Sequence, residues 1–398
     1  MLLMFATNLI DSIWVGGLGA EPLAALGFIS PLYLVINGFG VGIGAGTNSL
    51  ISRFIGAKRY EDSNNAAMHS IIIGIVVSII ILIIGVFFLK DLLILFGAGS
   101  VIDYAMDYGM IIFLSNIIII FPAIISSLFR AEGAIGRATW PLVLNAVLNI
   151  ILDPIFIYYL NLGVRGAAIA TVLSILANLL LMLYWYLIKK DTFISLSPKY
   201  YRGKLEIYKE ILHVSLPASC EGVICSIVGI CINYLVMLTA GTMEVAIFVV
   251  VWRFVSIAFM PCIAIGISTI TVSGLAYGAK NYENFRTTIN YSTFLSFLIT
   301  LIICIIFFVF VYPISEAFNF ISGNAEMITM TAEVLRIMVF YNLFIPFGAT
   351  AIYVYPRMGS GLKLLALTIL RELILNVFLL ICLRFHSRWE FSASIWAQ

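Results

Sequence analysis

Polar residues are sparse along this chain, and the long stretches between them are apolar. Runs of the length a helix needs to cross a bilayer, about 20 residues or more, recur through the sequence. They lie at roughly 1–16, 23–52, 66–89, 105–129, 138–160, 164–188, 210–238, 245–275, 287–312, 327–354 and 364–383. The pattern predicts eleven membrane-crossing helices. The weak short-period alternation of a membrane β-barrel is missing. The first run is short for a bilayer and has neither the basic flank nor the cleavage site of a signal peptide. Phe391 to Gln398 reads as the start of a twelfth span, so both terminal helices read as cut short.

Within these runs the polar positions have helical spacing. Asn145, Asn149 and Asp153 follow one another at steps of four, and each step advances about 40° around a helix. They therefore form one stripe on an otherwise apolar span. A carboxylate at membrane depth is costly and marks a candidate functional site; the competing reading is a polar contact that only joins helices. Pro154, directly after Asp153, removes a helical hydrogen bond and is expected to bend the span there. In the first run Asn8 and Asp11 share a face at i,i+3. Should the two helices adjoin, Asp11, Asp153, Asn149 and Asn8 together would offer a site for a proton or for Na⁺, with the choice left open. The second run carries glycine at 38, 40, 42, 44 and 46. No strand precedes these glycines and no lysine closes them, which excludes a phosphate-binding loop. They predict close helix packing.

Composition supports the membrane reading. The chain is 62% hydrophobic and 11% charged with mean hydropathy +1.10, against about 25% charged for a soluble domain. A net charge of +2 gives no reason to expect nucleic acid as a partner. Six cysteines lie inside apolar runs without paired spacing, and three histidines do not complete a metal motif. The basic residues sort by side. Fifteen Lys and Arg fall in the loops after spans 2, 4, 6, 8 and 10, and four on the opposite side. The positive-inside rule then puts the richer side, and the N-terminus with it, in the cytoplasm of a multi-pass plasma-membrane protein. Arg253, Arg336 and Arg371 remain in or at the ends of spans.

The chain also repeats. Ile43-Gly44 recurs as Ile265-Gly266, and GAKRYE at 56–61 recurs as GAKNYE at 278–283, both at an offset of 222. Six spans lie within that offset, so the copies share orientation and are parallel repeats. The basic stretch near the middle reads as their linker. The expected organisation is an N-terminal lobe over 1–190, a cytoplasmic linker over 191–208 and a C-terminal lobe over 209–398. The fold class is an all-α membrane protein with two parallel six-helix lobes. Glu221, Asn233 (the repeat mate of Asp11) and Met260 are candidates for a substrate cavity that takes lipophilic cations through charge and adaptable Met contacts.

NLIDSIWVGGLGAEPLAALG (8–27), IGAGTNSLISRFIGAKR (43–59), SSLFRAEGAIGRAT (126–139), NIILDPIFIY (149–158) and LGVRGAAIAT (162–171) resemble the multidrug and toxic compound extrusion (MATE) antiporters, in particular their DinF-like branch. The resemblance implies a twelve-span, two-lobe carrier that exports amphipathic organic cations in exchange for H⁺ or Na⁺, acts as a monomer and needs no cofactor. It marks Asp11 and Asp153 as coupling acids, with Asn149 and Thr171 beside them. Two other readings are weaker. A lipid-linked saccharide flippase of the same broad superfamily needs a cationic cavity, and only three arginines are at depth. An intramembrane aspartyl protease needs YD and GxGD settings, whereas Asp11 and Asp153 sit in LID and LDP; the protein is not expected to be an enzyme.

Overall fold

The computed structural model describes residues 14, 15, 17–96, 98–220, 224, 242–319, 325–348 and 370. Helices account for nearly all of them. They are α1 (Ala20–Gly56), α2 (Tyr60–Leu95), α3 (Ile102–Leu114), α4 (Asn116–Ala131), α5 (Ile135–Pro154) and α6 (Gly163–Leu183). Next come α7, described over 205–220, then α8 (Thr242–Gly278), α9 (Tyr282–Val309), α10 (Val311–Asn319) and α11 (Ala325–Asn342). Among the described residues six helices are long and apolar enough to cross a membrane, or seven if the bent pair α3–α4 is one span. Their outer faces fit that setting. α2 turns Val76, Ile79, Ile80, Ile83, Phe87 and Phe88 outward, a row that water would penalise and lipid accepts.

The packing divides into two compact units. One comprises Met1–Val223, Ile270–Arg286 and Tyr355–Leu362; the other comprises Ile224–Thr269, Thr287–Val354 and Lys363–Gln398. In the first, Ile29, Ile43, Leu50, Ile120, Ile124, Leu128 and Phe129 lie in one continuous apolar core. In the second, Val251, Phe254, Leu335 and Met338 anchor a smaller one. Cys262 and Cys304 are buried as small core residues, while Cys220 is exposed.

The expected single span over 105–129 is bent by 49° between α3 and α4. The cause is local. At the break the Asn116 side chain donates to the Phe113 carbonyl at 2.7 Å, so a side chain takes the place of the next main-chain donor. The expected bend at Pro154 takes another form. The chain runs on from α5 as a π-helical turn, Ile155–Tyr159. Proline has no N–H to give, and the helix recovers by widening its register, with Leu160 N donating to Ile155 O at 2.9 Å.

The repeat extends well beyond the sequence identities. α1 and α8 are both 37 residues long and begin and end 222 residues apart, and so do the starts of α2 and α9. Between them Lys58 and Lys280 both take positive φ, 60° and 57°. The turn bonds match one for one. Ala57, Lys58 and Arg59 donate to Arg53, Ile55 and Phe54, and Ala279, Lys280 and Asn281 donate to Leu275, Tyr277 and Ala276. Thr47 bonds back to Ile43 O as Thr269 does to Ile265 O.

Within the first unit the ends of α1 and α8 also cross. A Cβ on Gly56 would strike the Leu275 carbonyl, and a Cβ on Gly278 would strike the Arg53 carbonyl. Residues 53 and 275 are repeat mates, as are 56 and 278, so each copy presents the same glycine to the same carbonyl of the other. Further along, Asn48 and Thr271 exchange hydrogen bonds at 3.3 Å.

The glycine stripe of α1 packs on two sides. A side chain on Gly40 or Gly44 would meet the Ile120 or Ala123 carbonyl of α4 at 3.0 Å, and one on Gly42 or Gly46 would meet Ser219 or Ser215 of α7. Two residues turn a helix by about 200°, so glycine at every second position flattens both faces.

Residues 191–208 are held against the first unit. Asn64 Oδ1 accepts Ser195 N–H and Asn65 Oδ1 accepts Arg202 N–H, both at 2.9 Å. His69, 0% exposed, accepts Lys204 N–H on Nε2 at 3.3 Å and uses Nδ1 on the Asn65 carbonyl at 2.8 Å. Tyr201 and Tyr208 pack their rings on it.

Candidate functional site

The polar stripe of α5 faces inward. α5 packs against α6 and α4, and α6 offers small residues, with Gly166, Ala167, Ala168, Ala170 and Ser174 buried. Asp153 is 0% exposed and Asn149 4% exposed. One turn apart on the same face, they are joined: Asn149 Nδ2 donates to Asp153 Oδ1 at 3.1 Å. Asp153 makes further interactions besides this one. Asn145, the third member of the stripe, is half-buried, and its buried Oδ1 meets no donor among the described residues.

Of the other sequence candidates, Thr171 lies half-buried on α6, its carbonyl accepting from Ser174 Oγ at 2.8 Å. Met260 is half-buried on α8, in the second unit. Asp11, Asn8, Glu221 and Asn233 lie outside the described residues. A buried carboxylate of this kind can hold a proton or a hard cation.

The π turn brings in residues that sequence reasoning missed. Tyr158 OH donates to the Trp14 carbonyl at 2.5 Å, and the two rings meet edge to face with centroids 6.1 Å apart. Trp14 is three residues beyond Asp11, and Tyr158 five beyond Asp153. On a regular α-helix Tyr158 would point about 140° away from Asp153. In the π turn Ile157 is buried, as Asp153 is, and Tyr158 is 39% exposed. The signal in the sequence was Pro154, which announced an irregularity without its form. The back of the π turn rests on α6, where a side chain on Gly166 would meet Phe156 O at 2.5 Å.

Of the three deep arginines, Arg371 and the side chain of Arg253 lie outside the described residues. Arg336 lies over the rings of Tyr312 and Phe308, 5.1 and 5.9 Å from their centroids. Toward the crossing of α1 and α8, a cavity of about 240 Å³ is lined by Arg53, Lys209, Glu210 and His213, and Arg53 pairs with Glu210 at 3.0 Å. No cluster of three or more His, Cys, Asp or Glu among the described residues could hold a metal.

Comparison with known proteins gives a consistent picture. The family model MatE matches residues 1–155 and 217–381. Multidrug export protein MepA of Staphylococcus saprophyticus is 29% identical over 279 residues, 69% of this chain and 61% of that protein. MepA of Staphylococcus aureus is 25% identical over 369 residues, 92% of this chain and 81% of that one. The chain thus spans less than two thirds of the first of these relatives. A solved structure described as the outward-facing conformation of a multidrug resistance MATE family transporter of the MOP superfamily is 34% identical. It superposes with TM-score 0.90 over 94% of this chain and 83% of that one.

Proposed function

The chain belongs to the MatE family, and on that premise we propose that it is a secondary active transporter exporting amphipathic organic cations in exchange for H⁺ or Na⁺. The observation that carries this is the carboxylate of Asp153, fully buried in an apolar bundle and aimed at by the Asn149 amide. A structural residue at that place would cost less as an amide or an alkyl group. Asp11, Asn8 and Thr171 complete the ion site in this reading. Glu221, Asn233 and Met260 belong to the substrate cavity.

Parallel repeats support alternating access. The lobes, 1–190 and 209–398 joined by 191–208, would rock about the cavity, and the basic loops would face the cytoplasm of a plasma membrane. Ion binding at Asp153 neutralises the carboxylate that Asn149 now serves and so changes which bonds the α5 stripe prefers. Coupling requires that ion and substrate each bind the two states unequally. The mutual glycine grip of α1 and α8 supplies an arrangement that one state can hold and the other release.

The test is ethidium efflux from proteoliposomes under separate H⁺ and Na⁺ gradients. Asp153→Asn and Asp11→Asn are expected to abolish gradient-driven efflux while the protein stays folded. Full activity in both variants would overturn the assignment.

A further inference from the structure

We propose that Tyr158 is a positioning residue, which clasps the main chain at Trp14 to the Asp153 segment through the π-helical turn. The inference rests on the transport reading only for its consequence; the clasp itself is geometric. Four observations converge on it. The hydroxyl donates to the Trp14 carbonyl at 2.5 Å. The aromatic edge of Trp14 lies against the same ring. Gly17 leaves room for that hydroxyl, since a Cβ there would land on it. The π turn, begun by the proline that follows Asp153, aims the side chain, and Gly166 supports that turn from behind.

The physical logic is a short lever. Asp153 and Tyr158 lie on one continuous helical segment, with Pro154, which has no N–H to give, between Asp153 and the π turn. A change in what Asp153 bonds to alters the segment where its register is softest. Tyr158 hands that change to the Trp14 main-chain carbonyl, which it grips beside the Trp14 ring. Trp14 follows Asp11, the other acid of the proposed ion site, by three residues in the sequence. Tyr158 touches neither ion nor substrate in this account and acts through the two segments it ties.

The test does not depend on transport. Fluorotryptophan is incorporated and the Trp14 resonance is assigned with Trp14→Phe. Asp153→Asn, which fixes a neutral side chain, is expected to shift that resonance in the wild-type background and to leave it in place in a Tyr158→Phe background. Such non-additivity is what a shared contact produces. Phe keeps the ring and its edge contact, so a merely structural role predicts an unchanged response to Asp153→Asn. Gly17→Ala displaces the hydroxyl from the other side. It is expected to reproduce Tyr158→Phe and to add nothing once the hydroxyl is gone. The maximal rate of ion-driven efflux should fall about tenfold in Tyr158→Phe, the upper end of what one hydrogen bond is worth, with the substrate KM held. A Trp14 resonance that ignores Asp153→Asn in wild type, or answers it equally in Tyr158→Phe, overturns the clasp. An intact cycle in a protein without ion-driven efflux upholds the clasp and overturns the transport reading instead.

Discussion

The turn after α1 and the turn after α8 have the same backbone, bond for bond, yet different things are attached beyond them. In the first copy Asn64, Asn65 and His69 are buried and hold the main chain at Ser195, Arg202 and Lys204. Their repeat mates are Arg286, Thr287 and Tyr291, all exposed, Tyr291 at 65%. Capping differs as well. Asn281 accepts Asn284 N–H at 3.0 Å to start α9, where Arg59 instead pairs with Asp62 at 2.8 Å to start α2. Duplication has preserved what the main chain needs, namely glycine at the crossing and the left-handed lysine in the turn. It has released whatever depends on a neighbour that exists once. Among the described residues one copy has hooks for the segment 195–204.

The largest effect is expected where the copies agree. Gly56→Ala and Gly278→Ala each drive a methyl group into a carbonyl of the opposite helix, a collision that side-chain rotation cannot relieve. Each should cost about 1–3 kcal/mol, read as a lower midpoint of thermal unfolding in detergent, and the two losses should match. A large loss in one and none in the other would break the equivalence. A smaller effect is expected where the copies differ. Asn65→Ala strands the Arg202 N–H, a penalty of about 1–3 kcal/mol when a buried partner is lost, less whatever water recovers at the surface. It should speed tryptic cleavage at Arg202 and Lys204, while Thr287→Ala in the second copy leaves cleavage there unchanged. Cleavage that does not distinguish the two would mean that the hooks do not hold the linker. The smallest effect returns to agreement. Lys58→Gly and Lys280→Gly relieve a left-handed residue and should each stabilise by up to about 1 kcal/mol, equally in both turns.

How much of this was legible in the sequence varied with the kind of interaction. The repeat was readable because Gly56 and Gly278 serve main-chain geometry, which keeps residue identity. The inward stripe of Asn149 and Asp153 was readable because periodicity reports a helix face. The two-sided work of Gly40 to Gly46 was not: the sequence shows small residues but not which helices approach, and the partners Ser215 and Ser219 lie far along the chain. The break at Ser115 was hidden in an unbroken apolar run, although Asn116 was a usable sign. Residues 191–208 read as a basic linker, with no sign in the sequence of what holds them. Its attachments are main-chain amides, which composition does not show. Tyr158 was passed over among 19 tyrosines because its role depends on a helical register that the one-letter code does not state.

The crossing of α1 and α8 also has a history in time. A ribosome adds about 5–20 residues per second, so α8 emerges roughly 10–45 s after the α1 residues it must grip. During that wait the groove at Gly56 has no partner. The linker arrives sooner, and Asn64, Asn65 and His69 can take hold of it at the same end of the bundle before α8 exists. The order of synthesis therefore lets the strap fasten before the end of α8 arrives to cross α1.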